Sequence, residues 1–218
     1  MKTYHVSLTG ATPLLLHNDN IEWSDQMEQW RKIPDNKKSS KAGDDRTPAF
    51  TWIGSMYFDG GLACIPADNL MTMLREGGAK CPTGKRQETF KRHTQSSLIV
   101  NESSWPIYGT KGTVSQADVE QLMDIPDFEA HKDTAEDLGF MLFVKRAKIG
   151  QSKHVRVRPR FDTWQASGSI TVLNDDIISK EALKLILDTA GMYAGMCDWR
   201  PSSPRSPGAF GKFTAEIK

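Results

Sequence analysis

The chain opens on an alternating segment. In "TYHVSLTG" the apolar residues Tyr4, Val6 and Leu8 fall on every second position, the period of a strand with one buried face. Leu14, Leu15 and Leu16 form an unbroken apolar run that carries this strand into more buried ground. A polar excursion follows from about residue 18 to 48. Inside it, Trp23, Met27 and Trp30 recur at i, i+4 and i+7 and predict a short amphipathic helix. "PDNKKSSKAGDDR" has no period and predicts a loop. "FTWIGSMYFDGGLACIP" predicts two strands around Asp59-Gly60-Gly61, because Asp-Gly tolerates the positive φ angles of a tight hairpin.

Further on, Pro66 and Ala67 lead into a helix carrying Leu70, Met71, Met73 and Leu74, closed by Gly77-Gly78. "KCPTGKRQETFKRHTQ" is a basic loop running into a short helix, and "SSLIV" and "WPIYG" are brief strands. Ser115 is placed to cap a helix from Gln116 to about Met123. "GFMLFVKRAKI", "HVRVRPRFDTW" and "GSITVL" read as strands. Ser179 caps a helix with Leu183, Ile186, Leu187 and Ala190 as its buried stripe, and "AFGKFTAEI" is the last strand. Setting aside insertions at about 18–48 and 103–137, a β-α-β-β-α-β order remains. It predicts an α+β, ferredoxin-like (RRM-like) domain over 1–218: an antiparallel sheet with helices on one face. The open face of such a sheet is a platform for single-stranded RNA.

A net charge of +1 gives no global argument for nucleic acid. The local distribution does. Lys145, Arg146, Lys148, Lys153, Arg156, Arg158 and Arg160 run without an acid, whereas residues 118–137 carry eight acids against Lys132 alone. Such a bipolar surface can bind a polyanion on one side or stack head to tail with copies of itself. Cys64, Cys81 and Cys197 make no C-x-x-C pair or disulfide framework. With no signal peptide and no apolar run of membrane length, they predict a cytosolic protein that does not engage a membrane.

Alternation puts Arg156, Arg158 and Arg160 on one strand face, roughly 6–7 Å apart, close to the spacing of phosphates in an extended strand. The competing reading is a solvated face whose acid partners come from elsewhere in the chain. Lys85 and Arg86, followed by Phe90 and His93, mix cations with flat rings, as single-strand binders do. Catalysis has thinner support. The five histidines are scattered, no metal-ligand spacing or cofactor motif occurs, and no nucleophile elbow is present. His17 and His93 are the candidate general bases if the chain cleaves RNA.

Three segments together resemble the RAMP superfamily of CRISPR-associated proteins. "GLACIPADNLMTMLREGGAK" is similar to that superfamily's strand, Ile-Pro and first core helix. "GMCDWRPSSPRSPGAFGKFTAEI" resembles its glycine-rich loop before the last strand, and "TYHVSLTGATPLLLHN" its first strand. The loop departs from the family in carrying Pro201, Pro204 and Pro207, which shifts weight from backbone approach to the side chains of Arg200 and Arg205. The resemblance implies a non-catalytic backbone subunit that coats single-stranded guide RNA, polymerises with copies of itself and joins other effector subunits. The implied RNA-binding set is Arg156, Arg158, Arg160, Lys85, Arg86, Arg200 and Arg205, with Phe90 and Trp199 as stacking rings. Open alternatives are a metal-independent endoribonuclease of the same superfamily and a phage interaction protein that borrowed the fold.

Overall fold

The computed structural model describes the 218-residue chain apart from Arg86, Gly150 and Arg205. In chain order its elements are β1 (Lys2–Gly10), β2 (Leu14–Leu15), α1 (Ile21–Lys32), α2 (Pro34–Ser39), a 3-10 helix (Ala49–Ser55), β3 (Phe58–Asp59), β4 (Leu62–Pro66), α3 (Ala67–Gly78) and α4 (Lys91–Ser97). Then come β5 (Leu98–Val100), β6 (Ser104–Pro106), β7 (Tyr108–Gly109), β8 (Gly112–Thr113), α5 (Gln116–Glu120), a 3-10 turn (Gln121–Asp124) and α6 (Phe128–Asp137). The chain closes with β9 (Met141–Ile149), β10 (Ser152–Phe161), β11 (Gln165–Val172), α7 (Lys180–Thr189), a π-helical turn (Ala190–Ala194) and β12 (Phe213–Ile217). The result is a mixed α+β fold with several antiparallel sheets.

In the largest sheet β1 is central. It pairs with β11 from Lys2↔Val172 to Thr9↔Gln165, and with β12 from Val6↔Ile217 to Gly10↔Phe213. β5 joins the far side of β11, giving the antiparallel order β12-β1-β11-β5, with β7 beside the other end of β11. The alternation predicted for β1 holds: Val6 and Leu8 are fully buried, alongside Ala166, Ile170, Val172, Phe213 and Ala215. Against this face lie α3 and α7, which bury Leu70, Met73 and Leu74, and Leu183, Ile186 and Leu187. Close packing needs a glycine at Gly168, among other positions: a Cβ there would collide with the indole of Trp105, which is itself 0 % exposed. The opposite face of the sheet is polar. Its paired positions hold Thr3 with Thr171, His5 with Ser169, Ser7 with Ser167 and Glu216, and Thr9 with Thr214 and Gln165. Tyr108 stands at the β7 edge, and no lysine or arginine occupies these pairs. Among these pairs the face is polar rather than cationic, with Lys218 joining it at the His5 end, where its N–H donates to the His5 carbonyl.

The cations lie on a second sheet, ordered β2-β10-β9. β9 and β10 form a long hairpin paired from Met141↔Arg160 to Ile149↔Ser152. The third sheet joins β3, β4 and β6; Gly60 and Gly61, at φ 57° and 77°, make the tight turn that the Asp-Gly signal predicts.

Three expectations are corrected. The segment after Pro34 is not all loop: Pro34 opens α2, and Asp44 and Asp45 are then tied to the outer edge of β10, where Asp45 N–H donates to the Val155 carbonyl. Residues 49–55 are a 3-10 helix rather than a strand, because Ala49 and Trp52, three apart, both bury. Ser115 starts α5 with extended backbone but makes no side-chain cap bond, and α5 passes into a 3-10 turn at Gln121. Ser179 does cap α7, its Oγ accepting from Ala182 N–H at 3.2 Å. Among the described residues no helix is long and apolar enough to cross a membrane.

Candidate functional site

A cleft of about 490 Å³ opens over the arginine face of the β9–β10 hairpin. Arg156, Arg158 and Ala147 form its floor. His17 to Asn20, Trp23 and Ser24 line one wall; Asp45, Thr51, Gly54 and Ser55 line another; Asp198, Trp199, Ser203 and Ser206 complete it.

Local bonding explains how distant segments meet here. Leu14 and Leu15 are fully buried and pair with Phe161 and Arg160, which fixes the chain just before His17. The Leu16 N–H donates to the Pro159 carbonyl, and Asn18 is stitched to Ser55 and Met56. Tyr57 Oη donates to the His17 carbonyl at 2.6 Å, and burial pushes its own phenol up to about 12. Asp198 N–H donates to the Leu15 carbonyl. The short strand β2 therefore gathers His17, Asp198 and Arg158 at one place.

The turn that carries Asp198 is strained. Cys197 and Trp199 have φ of 61° and 44°, in the left-handed region that non-glycine residues avoid. Such outliers cost on the order of 1–3 kcal/mol each and persist where surrounding contacts over-determine them. Those contacts are present. Trp199 N–H donates to Asp198 Oδ1 at 3.0 Å, and Arg200 Nη1 donates to the Cys197 carbonyl at 3.1 Å. Arg200 is in turn held by Glu76 through Nε and Nη2, at 3.1 and 3.0 Å. Lys145 Nζ lies 4.3 Å from the Trp199 ring centroid, and Phe143 meets that ring edge-on.

The charges in the cleft alternate. Asp45, with a side chain 9 % exposed, accepts from Arg156 Nη1 at 2.7 Å, from Arg158 Nη1 at 3.4 Å and from Val157 N–H at 3.2 Å. Asp198 Oδ2 lies 3.5 Å from Arg158 Nε and 3.9 Å from His17 Nδ1. Arg158 Nε is buried without a hydrogen bond. Burial is the first cause that lowers the pKa of both Arg158 and His17, and for His17 the Arg158 charge adds to it. His17 is thus held toward its neutral form.

The expected binding residues separate. Arg156, Arg158 and Trp199 come together in the cleft. Arg160 shares their face but is engaged twice by Asp162, at 2.6 and 3.0 Å, and lies 5.5 Å from the Phe143 ring centroid. The acid partners that the two strands lack are therefore supplied by two distant segments, through Asp45 and Asp198, and by Asp162 just past the end of β10. Arg200 braces the Cys197–Trp199 turn against α3. Phe90 is 8 % exposed in the core, with His93 at its edge, so its ring faces are not free for stacking. Lys85 is exposed in the turn before α4 and does not line the cleft. Arg86 and Arg205 lie outside the described residues. His93 pairs with Glu88 at 3.2 Å, away from the cleft. Sequence reasoning missed Asp45; the Asp44-Asp45 doublet in a segment otherwise dominated by lysine was the one signal available.

Among the described residues no group of His, Cys, Asp and Glu could hold a metal ion. The lining sets two guanidiniums, Arg156 and Arg158, against three carboxylates, Asp19, Asp45 and Asp198. Arg156 is 28 % exposed at its side chain and donates one hydrogen bond, to Asp45, of the five that a guanidinium can make. The start of α1 also faces the cleft through Asn20, Trp23 and Ser24, where the Asn20 carboxamide caps the Trp23 N–H. No protein-family model matches the chain, and no curated protein matches it in sequence.

Proposed function

We propose that this chain is a single-stranded RNA-binding subunit of a CRISPR-type ribonucleoprotein assembly, coating guide RNA without cleaving it and polymerising along it. The observation that carries the reading is the convergence of Arg156, Arg158, Trp199 and the start of α1 in one cleft. Phosphates compete with Asp45 and Asp198 for the guanidiniums, and the Trp199 ring offers a surface for a base. The antiparallel order β12-β1-β11-β5, with α3 following β1 and α7 preceding β12, supports a ferredoxin-like core for the RAMP-type domain.

Anisotropy of a labelled oligouridylate, titrated across salt, tests it. Affinity falls steeply, with a slope of about −0.7 per phosphate contact, and Arg156→Gln weakens binding. Binding that stays flat between roughly 50 and 300 mM salt refutes the reading.

One observation favours a second reading, a metal-independent endoribonuclease. His17 sits in the same cleft, 3.9 Å from Asp198 and held toward the neutral form a general base requires. Incubation with RNA in chelator would then give cyclic-phosphate ends, lost in His17→Ala. Intact RNA after prolonged incubation excludes this activity.

A further inference from the structure

The hairpin neutralises its inner half and leaves its outer half bare. Arg156, Arg158 and Arg160 each find an aspartate, drawn from three separate places in the chain. Lys145, Arg146, Lys148 and Lys153, nearer the hairpin tip, are all exposed, and none has an acidic partner among the described residues. The register makes this unfavourable by itself. Lys148 stands directly opposite Lys153, and Lys145 opposite Arg156. Like charges facing each other across an antiparallel pair destabilise it. No acid occurs anywhere on either strand to relieve them. The alternation also divides these cations between two faces. Lys145 shares the cleft face with Arg156, whereas Arg146, Lys148 and Lys153 share the opposite face with the buried Val157 further in.

We infer that the outer face of the β9–β10 tip, Arg146, Lys148 and Lys153, is a second phosphate-contact surface, so that one nucleic-acid strand engages the cleft and then wraps the hairpin. This rests on the single-strand reading above and extends it from one contact region to two. Arg146 and Lys148 lie roughly 6–7 Å apart along their strand, which suits neighbouring phosphates. Lys145, on the cleft face between the two regions, continues the cationic path.

The test uses the full chain, anisotropy across salt, and two labelled oligouridylates of about 6 and about 30 nucleotides, one near a single site size and one well beyond it. The variants are Arg146→Gln/Lys148→Gln/Lys153→Gln together, Lys148→Gln alone, and Arg156→Gln. Because the three outer residues are exposed and Lys148 faces Lys153, the triple variant melts no lower than the parent. It should bind the long oligomer roughly tenfold more weakly, with a salt slope shallower by about 2, and the short one unchanged. Lys148→Gln moves the long oligomer alone, and by less. Arg156→Gln weakens both lengths. Unchanged long-oligomer binding in the triple variant, while Arg156→Gln still weakens it, overturns the second surface and leaves the cleft standing. No effect from any variant overturns both. RNA-free self-association that the triple variant abolishes, with RNA binding intact, also overturns the inference, since the surface then meets the acidic segment of another copy.

Discussion

Asp45→Asn removes one charge, changes almost no volume, and separates stability from binding. The parent carboxylate is nearly buried and serves Arg156, Arg158 and Val157 N–H at once. The variant carboxamide can still accept from Val157, but it leaves Arg158, 11 % exposed, with Asp198 at 3.5 Å as its remaining acid. Removing one partner of a buried ion pair costs about 3–5 kcal/mol. The partial exposure of Arg156 and the retained acceptor place this substitution near the lower end, at about 3 kcal/mol. For a chain of 218 residues that lowers the melting temperature by about 6–12 °C. Binding should move the other way. The cleft loses the carboxylate that competes with phosphate, and one opposed charge at hydrogen-bonding range is worth about 1 kcal/mol in water, close to a fivefold tightening at low salt. Circular dichroism melts and oligouridylate anisotropy on the same preparation read both. A variant that melts with the parent refutes the buried-pair argument. A variant that loses stability and affinity together refutes the competition argument, because Asp45 then orients Arg156 for the ligand instead of opposing it.

Three other outcomes follow from the geometry. His131 is 0 % exposed, accepts at Nδ1 from Trp52 Nε1 at 3.0 Å and donates from Nε2 to the Ile125 carbonyl, and burial lowers its pKa against the weaker opposing pull of the Ile125 carbonyl and Asp127. The unfolded chain therefore takes up a proton first, so stability falls as pH drops from about 6.5 toward the lower folded pKa, and His131→Phe flattens that part of a melting-temperature profile. Gly168→Ala drives a methyl into the buried Trp105 indole and should destabilise by about 1–3 kcal/mol, or more if the indole cannot shift, as read in a urea titration. Arg200→Ala frees Glu76 and the Cys197 carbonyl and should cost about 1–3 kcal/mol, with faster amide exchange confined to residues 196–203 and little direct change in RNA affinity.

Much of the fold was legible because its signals are local. The alternation of Val6 and Leu8, the Asp59-Gly60-Gly61 turn and the Ser179 cap each act over a few residues, and each appears where its pattern puts it. The 3-10 helix at 49–55 was hidden because an apolar run such as "AFTWI" has no clear period, and the choice falls to tertiary packing around Trp52. The site was legible by half. Alternation found the face that carries Arg156 and Arg158, but not their neutralisation, since Asp45 lies 111 residues from Arg156 and no spacing rule reaches that far. Phe90 failed as a stacking ring for a related reason. A basic, ring-bearing loop resembles a binding loop until its ring is found packed into the core. The loop after α7 held both kinds of residue: Trp199 faces the cleft, while Arg200 turns back to brace α3.

The strand order of the main sheet also governs when the chain can fold. The two neighbours of the central strand β1 are β11 and β12, so residues 2–10 wait for residues 165–172 on one side and 213–217 on the other. Contacts of such sequence separation carry a large loop-closure cost, and topologies rich in them fold slowly. During synthesis, β1 and the Leu14–Leu16 run leave the ribosome long before their partners; Leu14 and Leu15 wait for β10, and β1 keeps one edge unpaired until β12 has emerged, which makes this interval the one in which a chaperone has most to protect.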